Sequence, residues 1–137
     1  MQERQTQTAL DNRQAVLRLV TDVTAVPLAD DVVLQDFAQS ITIAGRRAVT
    51  DFICAFFCRA FAEMTLEINT LLADGETATL SLVLAGRHIA PFWGMPCTGR
   101  HVTLSLALIC RFHAGQIVYI EWYYDGGTLL RQLGLAL

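Results

Sequence analysis

Between Thr65 and Tyr124 the apolar residues of this chain recur at every second position over long stretches. That period belongs to strands, and segments of this length restrict the fold to one built on a sheet. Four segments carry it: Thr65 to Leu72, Thr77 to Ala90, Arg100 to Phe112 and Gln116 to Tyr124. Asp74-Gly75-Glu76 separates the first two and has the Asp-Gly signal of a hairpin. His113-Ala114-Gly115 separates the last two, and an aromatic loop, Pro91 to Gly99, lies between the middle pair. The expected arrangement is an antiparallel meander. Strands so apolar on both faces need cover on both sides. Helices can cover one face. The other calls for a second copy of the chain, so a homodimer built on the sheet's outer surface is expected.

The N-terminal half supplies the helices. Thr8 to about Ala25 reads as a helix, with capping-box character at Thr8 and Asp11 and an apolar stripe of Val16, Leu17, Val20 and Val23. Pro27 ends it. Asp30 to Ala38 is a short strand with Asp36 near its end, and Ile41 to Ala44 is a second. Arg47 to Ala62 is a helix with a wide apolar face of Val49, Phe52, Ile53, Phe56, Phe57 and Ala60, enough to floor a pocket. Leu129 to Leu135 is a short tail. No repeat or linker interrupts the chain, so residues 1–137 are read as one domain.

Composition narrows the function. Hydrophobic residues are 53% of the chain and charged ones only 17%, and the apolar surplus must go into a cavity, an interface or a densely filled core. The net charge is −3 and no basic tract exceeds Arg46-Arg47, which excludes nucleic acid as a partner. Met1 to Gln7 is polar, with no apolar segment of a signal peptide, and no run approaches the ~20 residues that span a membrane. A cytoplasmic protein with reduced cysteines is expected. Cys54 and Cys58 sit four apart on a helix, but the histidines have no ligand spacing to them. No metal site is expected, and all four cysteines are read as small buried hydrophobes.

Several short motifs occur in a fixed order. Gly86-Arg87-His88 is followed by Phe92-Trp93-Gly94-Met95-Pro96-Cys97-Thr98-Gly99-Arg100, then by Arg111-Phe112-His113-Ala114-Gly115-Gln116-Ile117. Glu121-Trp122, Asp125 and Leu129-Leu130-Arg131-Gln132-Leu133-Gly134 complete the series. Over residues 74–134 this order resembles the SnoaL-like polyketide cyclases. The resemblance implies an α+β fold in which a curved antiparallel sheet wraps around N-terminal helices to form a cone with an internal pocket. That cone is shared with nuclear transport factor 2, ketosteroid isomerase and limonene epoxide hydrolase.

The resemblance also implies a reaction. Family cyclases close a ring by an intramolecular aldol step, with no metal or organic cofactor. A base removes a proton from a carbon between carbonyl groups, and the enolate attacks a carbonyl of the same molecule. Asp125 matches the family's catalytic carboxylate. Next to Trp122, Tyr123 and Tyr124 it is expected to lose hydration and have a raised pKa, although a turn aspartate before Gly126-Gly127 is the plainer reading of its spacing. The two glycines are expected to loosen the turn that follows. His88 matches the Gly-x-His position and would stabilise the enolate, or else hold the Phe92 to Gly99 loop.

The remaining candidates concern substrate binding. Phe92, Trp93 and Met95 form a lid or wall for a flat substrate, or a plug. Phe52 and Phe56 line the floor. Glu121 and Tyr123 alternate onto one strand face with Asp125; Glu121 is then a second pocket carboxylate or a rim ion pair. Asp36 faces the cavity or lies on the surface. The substrate expected is a hydrophobic small molecule of polycyclic or polyketide type. Two further readings stay open: an epoxide hydrolase or isomerase on the same cone, and a non-catalytic ligand-binding or dimerisation module.

Overall fold

The computed structural model describes residues 2–135. Helix α1 (Gln2–Thr21) leads through a short 3₁₀ turn (Val23–Ala25) into β1 (Leu28–Asp36) and β2 (Ile41–Ala44). Helix α2 (Arg46–Cys54) continues as a π-helical segment (Ala55–Arg59) into β3 (Phe61–Ala73). Strands β4 (Thr77–His88), β5 (His101–His113) and β6 (Gln116–Tyr124) follow, and α3 (Gly126–Gln132) closes the chain. The six strands form one curved, unclosed sheet in the order β2-β1-β6-β5-β4-β3. The meander β3 to β6 is antiparallel throughout, as its alternation implied. β1 joins it parallel to β6, so the N-terminal hairpin extends the sheet beyond the meander.

The inner face follows from alternation. On β4 it carries Leu80, Leu82, Leu84 and His88, on β5 Leu104, Leu106, Leu108 and Cys110, and on β1 Val32, Leu34 and Asp36. Helix α1 packs on β3 and β4 through Ala15, Val16, Leu19 and Val20, while α2 packs on β1. α1 begins earlier than its sequence pattern indicates. Thr8 is not a cap but lies inside the helix, its hydroxyl donating to Arg4 O at 2.9 Å.

The second helix is shorter than expected. Its last turn widens to a π-helix over Ala55–Arg59, and Phe56 and Phe57 are both buried although adjacent. The chain leaves this turn directly as a strand, and Phe61 pairs with His88 at the start of the β3–β4 ladder. The register shifts between Ala62 and Thr65, where the bulged strand crosses Gly86. A Cβ on Gly86 would meet Phe61 Cβ at 2.9 Å and Ala62 O at 3.3 Å. The glycine of the Gly-x-His motif is thus set by close approach of backbone to backbone.

The cysteines do not share one environment. Cys110 is buried, Cys54 is half-buried, and Cys58 and Cys97 are exposed. Partial desolvation by its neighbours, and then a hydrogen bond with Cys54, push the exposed Cys58 thiol up to about 11. No helix among the described residues is long and apolar enough to cross a membrane.

Candidate active site at the mouth of the cone

The interior of the cone is filled by aromatic rings. Phe56 lies within 4.8–6.2 Å, centroid to centroid, of Phe57, Phe61, Phe92, Trp93 and Trp122. Trp93 stacks on Phe52 at 4.5 Å and on Phe56 at 4.8 Å. Its indole N–H donates to Phe52 O at 3.0 Å, which ties the aromatic loop to α2. The loop itself is a two-residue hairpin turn. Phe92 and Met95 exchange both backbone hydrogen bonds, and Trp93 (φ +49°) and Gly94 (φ +80°) occupy the central positions. Left-handed backbone costs a bulky residue roughly 1–2 kcal/mol, which the packing of the indole must offset. The part of the interior around Phe56 is thus packed with the chain's own side chains.

Open space lies at the cone's mouth. A cleft of about 610 Å³ is walled by Trp93, Met95, Leu129 and Leu130, with Gln39, Tyr124 and Asp125 as its polar members. A larger groove of about 820 Å³ runs between the first turns of α1 and the β3–β4 turn. Its walls are mainly Gln, Thr and Arg side chains, and of its two carboxylates, Asp74 and Glu76, Asp74 already accepts the N–H groups of Glu76 and Thr77. The mouth cleft pairs an aromatic wall with a carboxylate open to a ligand.

Asp125 stands at the rim as the N-cap of α3. It accepts the Thr128 hydroxyl at 2.8 Å and the Thr128 N–H at 3.2 Å. Arg131 donates to the same hydroxyl at 3.2 Å. The Thr128 bonds, chiefly the hydroxyl's, hold the Asp125 carboxyl below the usual carboxylate range, and the Arg131 charge adds to this. The expected rise in its pKa is reversed. Trp122 points inward and Tyr123 outward, so neither covers the carboxylate, which is exposed. The glycines after it do not loosen the turn, since α3 starts at Gly126. A Cβ on Gly127 would lie 3.1 Å from Arg131 Nη1, so glycine lets that guanidinium fold back towards Asp125.

Helix α3 is itself held in place by its sequence. β6 pairs with β5 only from Leu106 onward, which leaves the start of β5 without that neighbour. The Gln132 side chain takes the vacant edge: its oxygen accepts Thr103 N–H at 2.8 Å, and its nitrogen donates to Thr103 O at 2.9 Å. Leu129 and Leu133 are buried beneath. These contacts bring Asp125 to the cleft.

Below the rim lies Asp36, fully buried rather than on the surface. Its Oδ1 accepts Ala38 N–H at 2.9 Å and Gln39 N–H at 3.0 Å, and its Oδ2 accepts the Gln39 side-chain amide at 2.9 Å. Burial, and then the Asp36 charge, push the Tyr124 phenol well above its ordinary value, so it stays a protonated hydrogen-bond donor. Tyr124 and Gln39 were not singled out from the sequence. Two-residue alternation with buried Trp122 was the available signal for Tyr124; Gln39 lies in a turn and left none.

The other predicted residues divide. Phe52, Phe56, Phe92, Trp93 and Met95 come together as wall and plug. Glu121 and Tyr123 do not join them, because the strand turns them to the outer face. Glu121 pairs with Arg111 at 3.6 Å and accepts the Tyr123 hydroxyl at 2.6 Å, while Tyr123 stacks on Phe37 at 4.7 Å. His88 is fully buried and does not line the cleft. Its Nδ1 lies 2.9 Å from Thr98 Oγ1 and accepts the Thr98 N–H at 3.3 Å, so it holds the aromatic loop. Among the described residues no three His, Cys, Asp or Glu side chains cluster as metal ligands would.

The fold and cleft define a class, an α+β cone with an open cleft at its mouth. The chain belongs to the SnoaL-like polyketide cyclase family, whose model matches residues 8–133. Solved structures agree in fold. A candidate SnoaL-like polyketide cyclase from Jannaschia sp. CCS1 is 16% identical, with a TM-score of 0.78 over 94% of this chain and 95% of that one. AclR, a candidate hydroxylase from Streptomyces galilaeus, is 19% identical, with a TM-score of 0.73 over 94% and 99%. A Catenulispora acidiphila protein with a ketosteroid isomerase-like fold is 19% identical, with a TM-score of 0.66 over 90% and 94%. At these identities the likeness is one of fold. No curated protein matches the chain in sequence. Family membership supports a cyclase-type role.

Proposed function

We propose that this protein is a cofactor-independent cyclase that closes a ring in a polyketide-type intermediate by an intramolecular aldol reaction. The observation that carries the reading is the mouth cleft, where an ionised carboxylate, Asp125, and a protonated phenol, Tyr124, border one apolar space. In the free protein Asp125 is solvated and a weak base. A substrate seated against Trp93 and Met95 covers it, removes its water and raises its proton affinity. Asp125 then takes the proton from a carbon flanked by carbonyls. Tyr124 donates a hydrogen bond to the enolate oxygen as charge develops there. The aromatic walls fold the chain so that the enolate carbon adds to the carbonyl; the C=O π bond opens to an alkoxide, which takes the proton back from Asp125 and restores the base. His88 acts at one remove, through the loop it holds.

A second copy of the chain on the outer face of the sheet completes the proposal. That face carries Ser81, Val83, Ala85, Ala107 and Ile109, small or aliphatic side chains in a half-buried patch across β4 and β5. Sedimentation equilibrium showing only monomer at micromolar concentration would sink this part.

The catalytic part is tested with an open-chain poly-β-ketone ester in buffer containing a chelator, with ring-closed product read by mass spectrometry. Product is expected well above the rate in buffer alone. A rate equal to buffer, with the substrate shown to bind, leaves the cone as a binding module. A hydroxylated product instead of a ring would favour an AclR-like assignment.

A further inference from the structure

Helix α3 is seven residues long and begins with two glycines, Gly126 and Gly127. Glycine weakens a helix relative to alanine, so a glycine placed inside one calls for a reason. Neither has a positive φ, so backbone freedom does not supply it. Space distinguishes the two. A Cβ on Gly126 would rest on Ala38 O at 3.6 Å, an ordinary contact. A Cβ on Gly127 would sit 3.1 Å from Arg131 Nη1 and 3.3 Å from Asp125 Oδ1. The guanidinium and the carboxylate thus face each other across the place a methyl group would take.

The same two groups also meet through Thr128. Its hydroxyl donates to Asp125 Oδ2 at 2.8 Å and accepts from Arg131 Nη2 at 3.2 Å, so its one proton is committed to the carboxylate. Its N–H donates to Asp125 Oδ1 at 3.2 Å. Asp125 lines the mouth cleft and Arg131 does not, so the cation acts on the carboxylate from outside the space a substrate would occupy. The other polar groups around the cleft are the Tyr124 phenol from β6 and Gln39 from the β1–β2 turn, with the buried Asp36 behind Gln39. The aromatic loop contributes Trp93 and Met95, which carry no charge.

We propose that Gly127, Thr128 and Arg131 are positioning residues for Asp125: Gly127 keeps open the gap through which the Arg131 guanidinium faces the carboxylate, and Thr128 ties the two together, so that the cation restrains the base from outside the cleft. The inference rests on Asp125 being the base of the proposed reaction, and it says what governs that base. A substrate that covers the carboxylate removes its water and, with it, part of the screening of the Arg131 charge. The guanidinium therefore offsets part of the gain in basicity. It also favours return of the proton to the alkoxide that ring closure forms.

The test reads the Asp125 carboxyl directly. Its ¹³C resonance is followed against pH and assigned by its loss in Asp125→Asn. Gly127→Ala and Arg131→Met are each expected to bind the Asp125 proton at least about twofold more tightly, and Thr128→Val more tightly than either. Thr128→Ser, which keeps the hydroxyl, is expected to titrate like the unaltered chain. Gly126→Ala is expected to leave the titration in place. Gly127→Ala and Arg131→Met combined are expected to move it no further than Arg131→Met alone, because both remove one interaction. Alanine suits a helix better than glycine, so Gly127→Ala should melt no lower than the unaltered chain. In turnover of the poly-β-ketone ester, Arg131→Met is expected to move the acid limb of kcat/KM to higher pH and to leave KM within about twofold.

An Asp125 titration unmoved by Gly127→Ala overturns the proposal, as does a double variant in which the Gly127→Ala and Arg131→Met shifts add in full. The carboxyl titration needs no turnover. Absence of ring closure with these shifts intact would therefore overturn only the catalytic reading, and unmoved titrations in a protein that does close rings would overturn only this one.

Discussion

Replacing Asp125 by Asn is expected to cut ring-closing turnover at least about a hundredfold while leaving the fold intact, the usual scale for loss of a general base. The fold survives because asparagine caps a helix about as well as aspartate does. Its side-chain oxygen still accepts the Thr128 N–H, and Gln132 and Leu129 still hold α3 against β5. What disappears is the negative charge at the cleft. The pH dependence is part of the same expectation. The Asp125 carboxyl is held below the ordinary carboxylate value of ~4, so the free enzyme has its base ionised throughout the neutral range. The acid limb of kcat/KM, which reports the free enzyme, should therefore fall below about pH 4 rather than near 6. A depressed folded-state value also means that the stability Asp125 contributes is present above the unfolded carboxylate value and is lost as pH falls through the folded one. Normal turnover by Asp125→Asn, with helix content and melting unchanged, would remove Asp125 from the mechanism and direct attention to Asp36.

Phe56→Ala is expected to cost about 3–5 kcal/mol of stability, the range for deleting a buried aromatic ring. This is a large share of the roughly 5–15 kcal/mol that holds a domain of ordinary stability together. Phe56 is fully buried, and five aromatic neighbours from the π segment, β3, the aromatic loop and β6 surround it. Neither the cone's wall nor its floor can close on the hole without moving the others. Urea denaturation should show a lower midpoint with an unchanged slope, and Phe56→Leu should lose less because it leaves a smaller cavity. A loss under about 1 kcal/mol for Phe56→Ala would show that these rings are not one packed unit.

Much of this protein was written in its periodicity. The two-residue alternation of β4 and β5 decides which side chains face inward, and the Asp74-Gly75 and Ala114-Gly115 turns set the register of the meander. Local signals of this kind are legible because strand and turn preferences act over a few neighbouring residues. The motif order from Gly86 to Gly134 was enough to place the chain in its family. The same local reading failed at element ends. It carried α2 on to Ala62, because Phe56 and Phe57 fit an apolar helical face, and it could not see that a strand partner at His88 captures Phe61. It also carried the alternation of Glu121 and Tyr123 on to Asp125, although the strand stops at Tyr124 and the face changes with it.

Charge and hydration at the site were decided elsewhere. Whether Asp125 is a raised or a lowered acid depends on Thr128 and Arg131 turning back over it, and on Trp122 turning away. Whether Asp36 is surface or core depends on a parallel pairing with β6, more than 80 positions along the chain from it. Whether the cone is hollow depends on where Phe92 and Trp93 lie once their turn has formed. The sequence by itself determined the elements, their order and the inward-facing residues, since these follow from covalent neighbours and a repeating pleat. Only the tertiary structure decided which carboxylate meets water, which is buried, and what fills the interior, since solvation and packing depend on residues brought together from distant parts of the chain.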